Sequence, residues 1–212
     1  MSGFSELDPR TGGVRSVASA DPVANPPDWY GRELAALLAG PTGSAQEVLA
    51  AQGRFCDLLR RNGNAPAALP AVLRYVVVAA RERADAAYAA LGVIGPDGML
   101  DRFVHAGMDA DAAPRIGALP RGHGVLGLPV SEPIRLTDLT EHPAAAGFPA
   151  HHPPMRSYLG APVRVREHRF GSLYVTDSAT GEFSAEDERL VSALAETAGV
   201  ALDEARSRRG TS

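Results

Sequence analysis

Two adjacent histidines, His151 and His152, stand in a run braced by prolines, GFPAHHPPMRSYLGAP. An imidazole on a stiff loop can give a ring nitrogen to a metal or exchange a proton near neutral pH. Pro153 and Pro154 follow His152 directly and restrict the backbone, which limits the wandering of its ring. Further along, Tyr174 sits in a strand-like run, where its hydroxyl could donate or accept a hydrogen bond. Read plainly, the same residues are a hydrogen-bonded loop histidine and an ordinary strand aromatic, and residue type alone leaves both readings open. His142, His151 and His152 together would make a metal site of three imidazoles, but their spacing fits no common helix-borne pattern. Arg164, Arg166 and Arg169 read as a solvated sheet face or strand-end cluster, with an acidic ligand or partner as the other reading.

Other chemistry finds less support. The chain has one cysteine, Cys56, so neither an intramolecular disulfide nor a CxxC site can form, and the residue reads as a small buried hydrophobe in a helix. Gly122 to Gly127, GHGVLG, matches G-x-G-x-x-G as a string. Leu119-Pro120 is not a buried strand, and Pro129 interrupts the helix that a dinucleotide loop must open. G-x-S-x-G, P-loop and HExxH motifs are absent, so the expectation is that the chain is not an enzyme.

The elements that would position these residues follow from periodicity. Ser157 to Arg166 alternates Leu159, Ala161, Val163 and Val165 with Gly160, Pro162, Arg164 and Arg166, the period of a half-buried strand. Arg169 to Thr176 alternates Phe170, Ser172 and Tyr174 with Gly171, Leu173 and Val175, and Glu167-His168 joins the two runs as a hairpin. Upstream, Pro66 to Asp85 carries Leu69, Val72, Leu73, Val76 and Ala80 at helical spacing. Two strands follow, Ala86 to Ile94 and Met99 to Ala106, around the turn Gly95-Pro96-Asp97-Gly98. Asp109 to Ile116 suggests one or two helical turns, Pro133 to Leu139 a strand, and Thr140 to Met155 a long loop of the kind that often carries function. Ser184 caps a last helix whose apolar face, from Leu190 through Leu194 and Ala198 to Ala205, is continuous.

Residues 1–27 are rich in Ser, Gly, Pro and Asp, which predicts a disordered arm. Residues 28–64 hold two helices, one capped by Asp28 and one opened by the capping box Ser44-Ala45-Gln46-Glu47. The stripe Val48, Leu49, Phe55, Leu58 and Leu59 on the second must be buried, against its own domain or against a second copy.

From about Ala65 to Arg209 the chain resembles a GAF domain, through the run HPPMRSYLGAPVRVREHRFGSLYVTD. This run is similar to the GAF domains of actinobacterial sensor histidine kinases, above all the haem-binding GAF domain of the DosS/DosT (DevS-type) gas and redox sensors. The resemblance implies an α+β fold: a central antiparallel sheet, the Pro66 and Ser184 helices on one face, ligand-pocket loops on the other, and a helical extension before residues 65–209. It implies haem b as cofactor, with His152, the histidine of HPPM, as the proximal iron ligand. Tyr174, the tyrosine of G-x-L-Y, would face the distal side and donate to bound dioxygen or nitric oxide. The porphyrin slot would draw on Leu91, Val93, Phe103, Phe148, Met155, Leu159, Ala161 and Leu173. In the family GVLG leads into a short helix beside the pocket; here the link from Gly127 to Pro133 is shorter than usual and contains Pro129, which bears on that pocket wall.

At 212 residues and 45% hydrophobic content, one substantial core is expected. A net charge of -4 gives no electrostatic case for nucleic acid or an anionic membrane. No apolar run approaches the roughly 20 residues that span a bilayer, and MSGFSELDPRTGG lacks the features of a signal peptide, so a cytoplasmic location is expected. No kinase, cyclase or DNA-binding motif follows the last helix. The expectation is a standalone sensory module of two-component signalling, taking a diatomic gas or other small molecule and a separate histidine kinase or regulator as partners. The alternative is a GAF domain that binds another small ligand or none and works as a homodimeric interaction module, through apolar seams on the Ser44 and Ser184 helices.

Overall fold

Period-two alternation and short turns build the sheet, and two amphipathic helices cover one side of it. The computed structural model describes residues 5–7, 14–16, 50, 53–54, 57, 65–108, 131–143, 148 and 152–209. In chain order these give β1 (Ser5–Leu7), β2 (Val14–Ser16), α1 (Ala65–Arg83), β3 (Ala86–Ile94), β4 (Leu100–Ala106), β5 (Ile134–Leu136), a 3-10 turn (Leu139–Glu141), β6 (Tyr158–Val165), β7 (His168–Ser178) and α2 (Ala185–Arg209). The strands form one antiparallel sheet in the order β2-β1-β4-β3-β7-β6-β5. The five strands β4-β3-β7-β6-β5 are the α+β core that the sequence predicts, with both helices on one face.

The helix face is a dry core. Val72, Leu73 and Val76 of α1 and Val191, Leu194 and Ala198 of α2 pack on Leu91, Leu159, Ala161, Leu173 and Val175. The apolar stripe of α2 is therefore consumed inside its own chain, which corrects the reading of it as a seam for a second copy. Reciprocal bonds open α2: the Asp187 N–H donates to Ser184 Oγ at 3.2 Å, and the Ser184 N–H donates to Asp187 Oδ2 at 2.7 Å. Arg135 of β5 ties this end to the sheet, donating to Glu188 at 2.6 Å and to the Phe183 carbonyl at 3.1 Å. At the other end Arg206 donates to the Ile94 carbonyl at 2.8 Å and lies 4.8 Å from the centre of the Phe170 ring. No described helix is long and apolar enough to cross a membrane.

Two bulges interrupt the alternation. Between β6 and β7, Val163 pairs with Gly171 and Arg164 with Arg169, so Phe170 is the extra residue. Strict alternation would put Phe170 on the side of Ser172 and Tyr174; the bulge turns it into the helix-face core instead. Gly171, with φ +156°, permits this, and a Cβ there would collide with the Gly92 carbonyl of β3. Between β3 and β4, Val93 pairs with Arg102 and Ile94 with Leu100, leaving Asp101 extra and turning Leu100 to the face opposite the helices.

Within the stretch whose composition predicts disorder, two segments are strands. β1 lines up on the edge of β4 through Glu6 opposite Val104 and Leu7 opposite Phe103. An open strand edge offers backbone N–H and C=O groups to any chain within reach, independent of side-chain apolarity, which composition does not register. Residues 50, 53, 54 and 57 are helical, as expected for the Ser44 helix. The Asp28 helix, the Ser44 capping box, Cys56, Asp109 to Ile116, GHGVLG and Pro129 lie outside the described residues. The strand expected over Pro133 to Leu139 is shorter, Ile134–Leu136, because Leu139 begins the 3-10 turn capped by the Asp138 carboxylate.

Candidate functional site

The sheet face turned away from the helices carries a second, separate cluster: Ala90, Phe103, Leu139, Met155, Tyr158 and Tyr174, with Tyr88, Leu100, Leu136 and Phe148 packed against it. Pairing across the strands arranges this face in three rows. One runs Phe103, Gly92, Ser172, Pro162; the next His105, Ala90, Tyr174, Gly160, Ile134; the third Tyr88, Thr176, Tyr158, Leu136. Small residues, Gly92, Ala90 and Gly160, make the floor between aromatic and polar side chains. At Gly160 the Tyr158 hydroxyl occupies the space a Cβ would need, so the glycine lets that ring fold down over the sheet.

The loop before β6 is fastened to this face by backbone and carboxylate. The Arg156 N–H donates to Asp177 Oδ1 at 2.7 Å, and its guanidinium donates to Asp138 Oδ2 at 3.0 and 3.2 Å. The Leu139 N–H donates to the Arg156 carbonyl at 2.6 Å, and Ser157 receives the N–H of Asp177 on its carbonyl and that of Ser178 on its hydroxyl, both at 2.9 Å. Hydrogen bonds from Thr140, then the Arg156 guanidinium, hold the Asp138 carboxyl below the usual carboxylate range. The loop thus has fixed ends at the 3-10 turn and at the end of β7.

His152 sits half-buried on that loop. Its Nδ1 lies 2.8 Å from the Pro153 carbonyl oxygen, and its ring stacks on Phe148 with centroids 5.0 Å apart and planes 14° apart. A carbonyl can only accept, so Nδ1 carries the hydrogen and donates, which leaves Nε2 as the ring nitrogen that does not take part in this bond. Phe148 links the imidazole to the cluster that contains Tyr174.

Tyr174 is buried on this face, its ring stacked on Tyr158 at 6.2 Å and 25°. Burial raises the pKa of both phenols, that of Tyr174 further through Tyr158, and lowers that of His105. All three groups are therefore neutral at neutral pH. Within this neutral face, Tyr158 Oη, His105 Nε2 and Thr176 Oγ1 are buried with no hydrogen-bond partner among the described residues. A buried polar group left unpaired costs about 1–3 kcal/mol, so such atoms grouped on one face mark a place built to be satisfied by something else.

Of the residues expected to form the slot, Phe103, Phe148, Met155 and Tyr174 meet on this face with His152 at its margin. Leu91, Val93, Leu159, Ala161 and Leu173 do not line it; they belong to the helix-face core. The reason is the pleat: each is one position removed along its strand from a residue of the ligand side, and successive side chains point to opposite faces. Tyr158, His105, Tyr88 and Thr176 escape the sequence reading, although parity with Tyr174 and Phe103 in a correctly registered sheet would have found them. Among the described residues no group of three or more metal-ligating side chains converges; His142 is described, and His151 lies outside the described residues.

The chain matches a known family over most of its length. The model of the family described as "GAF domain" matches residues 66–203. The chain belongs to the GAF domain family. Its fold is similar to that of the GAF domain of a phosphoenolpyruvate-protein phosphotransferase from Coxiella burnetii, at 24% identity and TM-score 0.58, over 75% of this chain and 96% of that one. It is also similar to free methionine-R-sulfoxide reductase from Neisseria meningitidis, at 17% identity and TM-score 0.55, over 77% and 91% of the two chains. A third similar structure is the GAF-B domain of DevS from Mycobacterium smegmatis, at 23% identity and TM-score 0.50, over 68% and 99%. At these identities the likeness shows the fold and establishes no special kinship with the DosS/DosT group. The reductase corrects the expectation that this GAF domain is not an enzyme. A GAF fold can carry catalysis, and the absence of familiar motifs excludes none, because chemistry resides in the site rather than in the fold. Membership places the GAF domain in a family of sensory and signalling modules.

Proposed function

We propose that this GAF domain is a gas or redox sensor that takes haem b on the sheet face opposite its helices, held by His152. The observation that carries the reading is the placement of His152: its Nδ1 lies 2.8 Å from the Pro153 carbonyl and its ring stacks on Phe148, which holds the imidazole and would leave Nε2 as the nitrogen for iron. In support, Phe103, Met155 and Tyr174 give this face an apolar character over the small residues Gly92, Ala90 and Gly160; Leu100 covers Gly92 and Tyr158 covers Gly160, so a porphyrin would have to displace those two side chains to lie flat on the sheet. Bound there, haem would supply an iron that binds a diatomic ligand or changes oxidation state. Tyr174 and Tyr158, kept protonated by burial, would each have a hydroxyl hydrogen to donate. The module would pass its state to a separate histidine kinase or regulator, from a cytoplasmic location.

Titration of the purified chain with hemin tests this. The expected result is a shifted Soret band at one equivalent, lost or strongly altered in His152→Ala; an unshifted band, or the same band in the variant, refutes it. A second reading, a GAF module for a different small molecule, draws on the unpaired Tyr158, His105 and Thr176 atoms, which hydrocarbon would not satisfy. A melting temperature raised by a polar heteroaromatic ligand, with no response to hemin, would favour it.

A further inference from the structure

Arg169 enters β7 three residues before Ser172, at the edge of the first row of the ligand side. Its Nη2 donates to Ser172 Oγ at 3.2 Å and its Nε to the Gly171 carbonyl at 3.4 Å. Ser172 is buried and lies between Gly92 and Pro162 in that row, which continues to Phe103. The extra residue, Phe170, turns away to the helix core, and Arg169 is left to bond back along the chain to Ser172 on the other face. The guanidinium is half-buried, its pKa lowered by burial, and its hydrogen bonds to described residues go to a hydroxyl and a carbonyl. Among the described residues no carboxylate pairs with it. Its neighbour in the turn shows the contrast: Arg164, which is exposed, has Glu132 at 3.7 Å. A partly desolvated cation is normally paired, because its burial is otherwise unfavourable.

The rest of this face is neutral. His105, Tyr158 and Tyr174 carry no charge at neutral pH, so an ionised group buried among them would find no counter-charge. Arg169, which bonds to Ser172 of this surface, stands at the hairpin end, and His152 with Phe148 stands by the loop at the opposite end. The row of Thr176 and the row of Ser172 are four residue steps apart along β7, about 14 Å at roughly 3.4 Å per residue.

We infer that Arg169, steadied by Ser172, is a carboxylate-binding residue, and that the ligand of this face is a flat, largely uncharged body with a carboxylate at the edge facing the β6–β7 hairpin. The inference rests on the reading of this face as the ligand side and deepens it. Haem b is one member of the class, since its propionates are carboxylates on the rim of an apolar plane; planar aromatic acids are others. The guanidinium presents parallel N–H donors suited to a carboxylate, and the charge-assisted bonds formed there replace those lost to water.

The test compares acids with their neutral counterparts on the intact chain: hemin against hemin dimethyl ester by absorbance titration, and 2-naphthoate against 2-naphthamide by calorimetry. Wild type is expected to favour the acid of a pair by about ten- to a hundredfold, the worth of a charge-assisted bond. Arg169→Gln should remove that preference while leaving affinity for the neutral probe unchanged, and Arg169→Lys should restore part of it. An unchanged urea midpoint in each variant keeps the result free of a folding effect. Failure of both porphyrins to bind, with an Arg169-dependent preference for 2-naphthoate, would end the haem proposal and leave the carboxylate inference standing. Hemin bound equally well as acid and ester would do the reverse, and so would an acid preference that survives in Arg169→Gln. If neither acid binds at millimolar concentration, the carboxylate inference is overturned.

Discussion

Tyr158→Phe isolates one oxygen atom. The residue is 1% exposed, its hydroxyl lies over Gly160, and that hydroxyl has no hydrogen-bond partner among the described residues. The substitution keeps the ring, its stacking on Tyr174 and the volume of the site, and removes only the unpaired group. Leaving such a group buried and dry costs about 1–3 kcal/mol, so the ligand-free variant should be more stable than wild type by that amount. For a chain of this size each kcal/mol moves the melting temperature by about 2–4 °C. Urea unfolding at pH 7 of protein stripped of ligand measures it: the midpoint should rise with the slope unchanged. The same variant should bind a polar ligand of this face more weakly, since the ligand then lacks the hydroxyl as a hydrogen-bond partner. A variant destabilised by about 1 kcal/mol or more would show that the hydroxyl is already satisfied in the folded chain, and the reasoning from unpaired atoms to a ligand face would fall.

Further outcomes follow from the same geometry. Burial lowers the His105 pKa, so between that value and 6.5 the unfolded chain binds a proton that the folded chain refuses; stability should fall as pH drops below about 6.5 and level off below the folded value, and the slope should shrink in His105→Leu when urea midpoints are compared at pH 7.5 and 5.0. Tyr158 and Tyr174 have the opposite sign: their pKa values are raised, so stability should be lost as pH rises past about 10, less so in Tyr158→Phe. Leu91→Ala should cost about 2–5 kcal/mol of stability and leave hemin affinity unchanged under conditions where the variant is folded, because Leu91 is fully buried on the helix side; Phe103→Ala should weaken hemin binding as well. Gly171→Ala drives a Cβ into the Gly92 carbonyl and should lower stability by at least about 2 kcal/mol, read as an earlier urea midpoint; an unchanged midpoint would mean that the β6–β7 bulge is not required.

Much of the architecture is already present in the order of residue types. Apolar spacing in Leu69 to Ala80 and in Leu190 to Ala205 gives both helices, and the bounds of β3 match the strand read from Ala86 to Ile94. Ser184 as a cap, Gly98 in its turn and the tight reversal between β6 and β7 are local events, and a chain segment specifies these by itself. The histidine of the proline-braced loop and the buried tyrosine are likewise visible as types.

Which residues share a face was decided by the assembled sheet. Face membership depends on register, and register on pairing between distant segments; one extra residue, Phe170 or Asp101, reverses everything beyond it. That is why Leu91, Leu159 and Leu173 read as pocket residues from hydrophobicity but lie under the helices, while Tyr158, His105 and Thr176 share the side of Tyr174. Hydrogen-bond satisfaction is also a property of the whole fold: the sequence contains the hydroxyls, the imidazole and the Arg169 guanidinium, and only burial makes three of those atoms unpaired and that cation half-desolvated. The pattern of side chains along the chain settles what each strand and helix is, whereas the solvent each polar atom keeps or loses is settled by packing across strands, which no local pattern encodes.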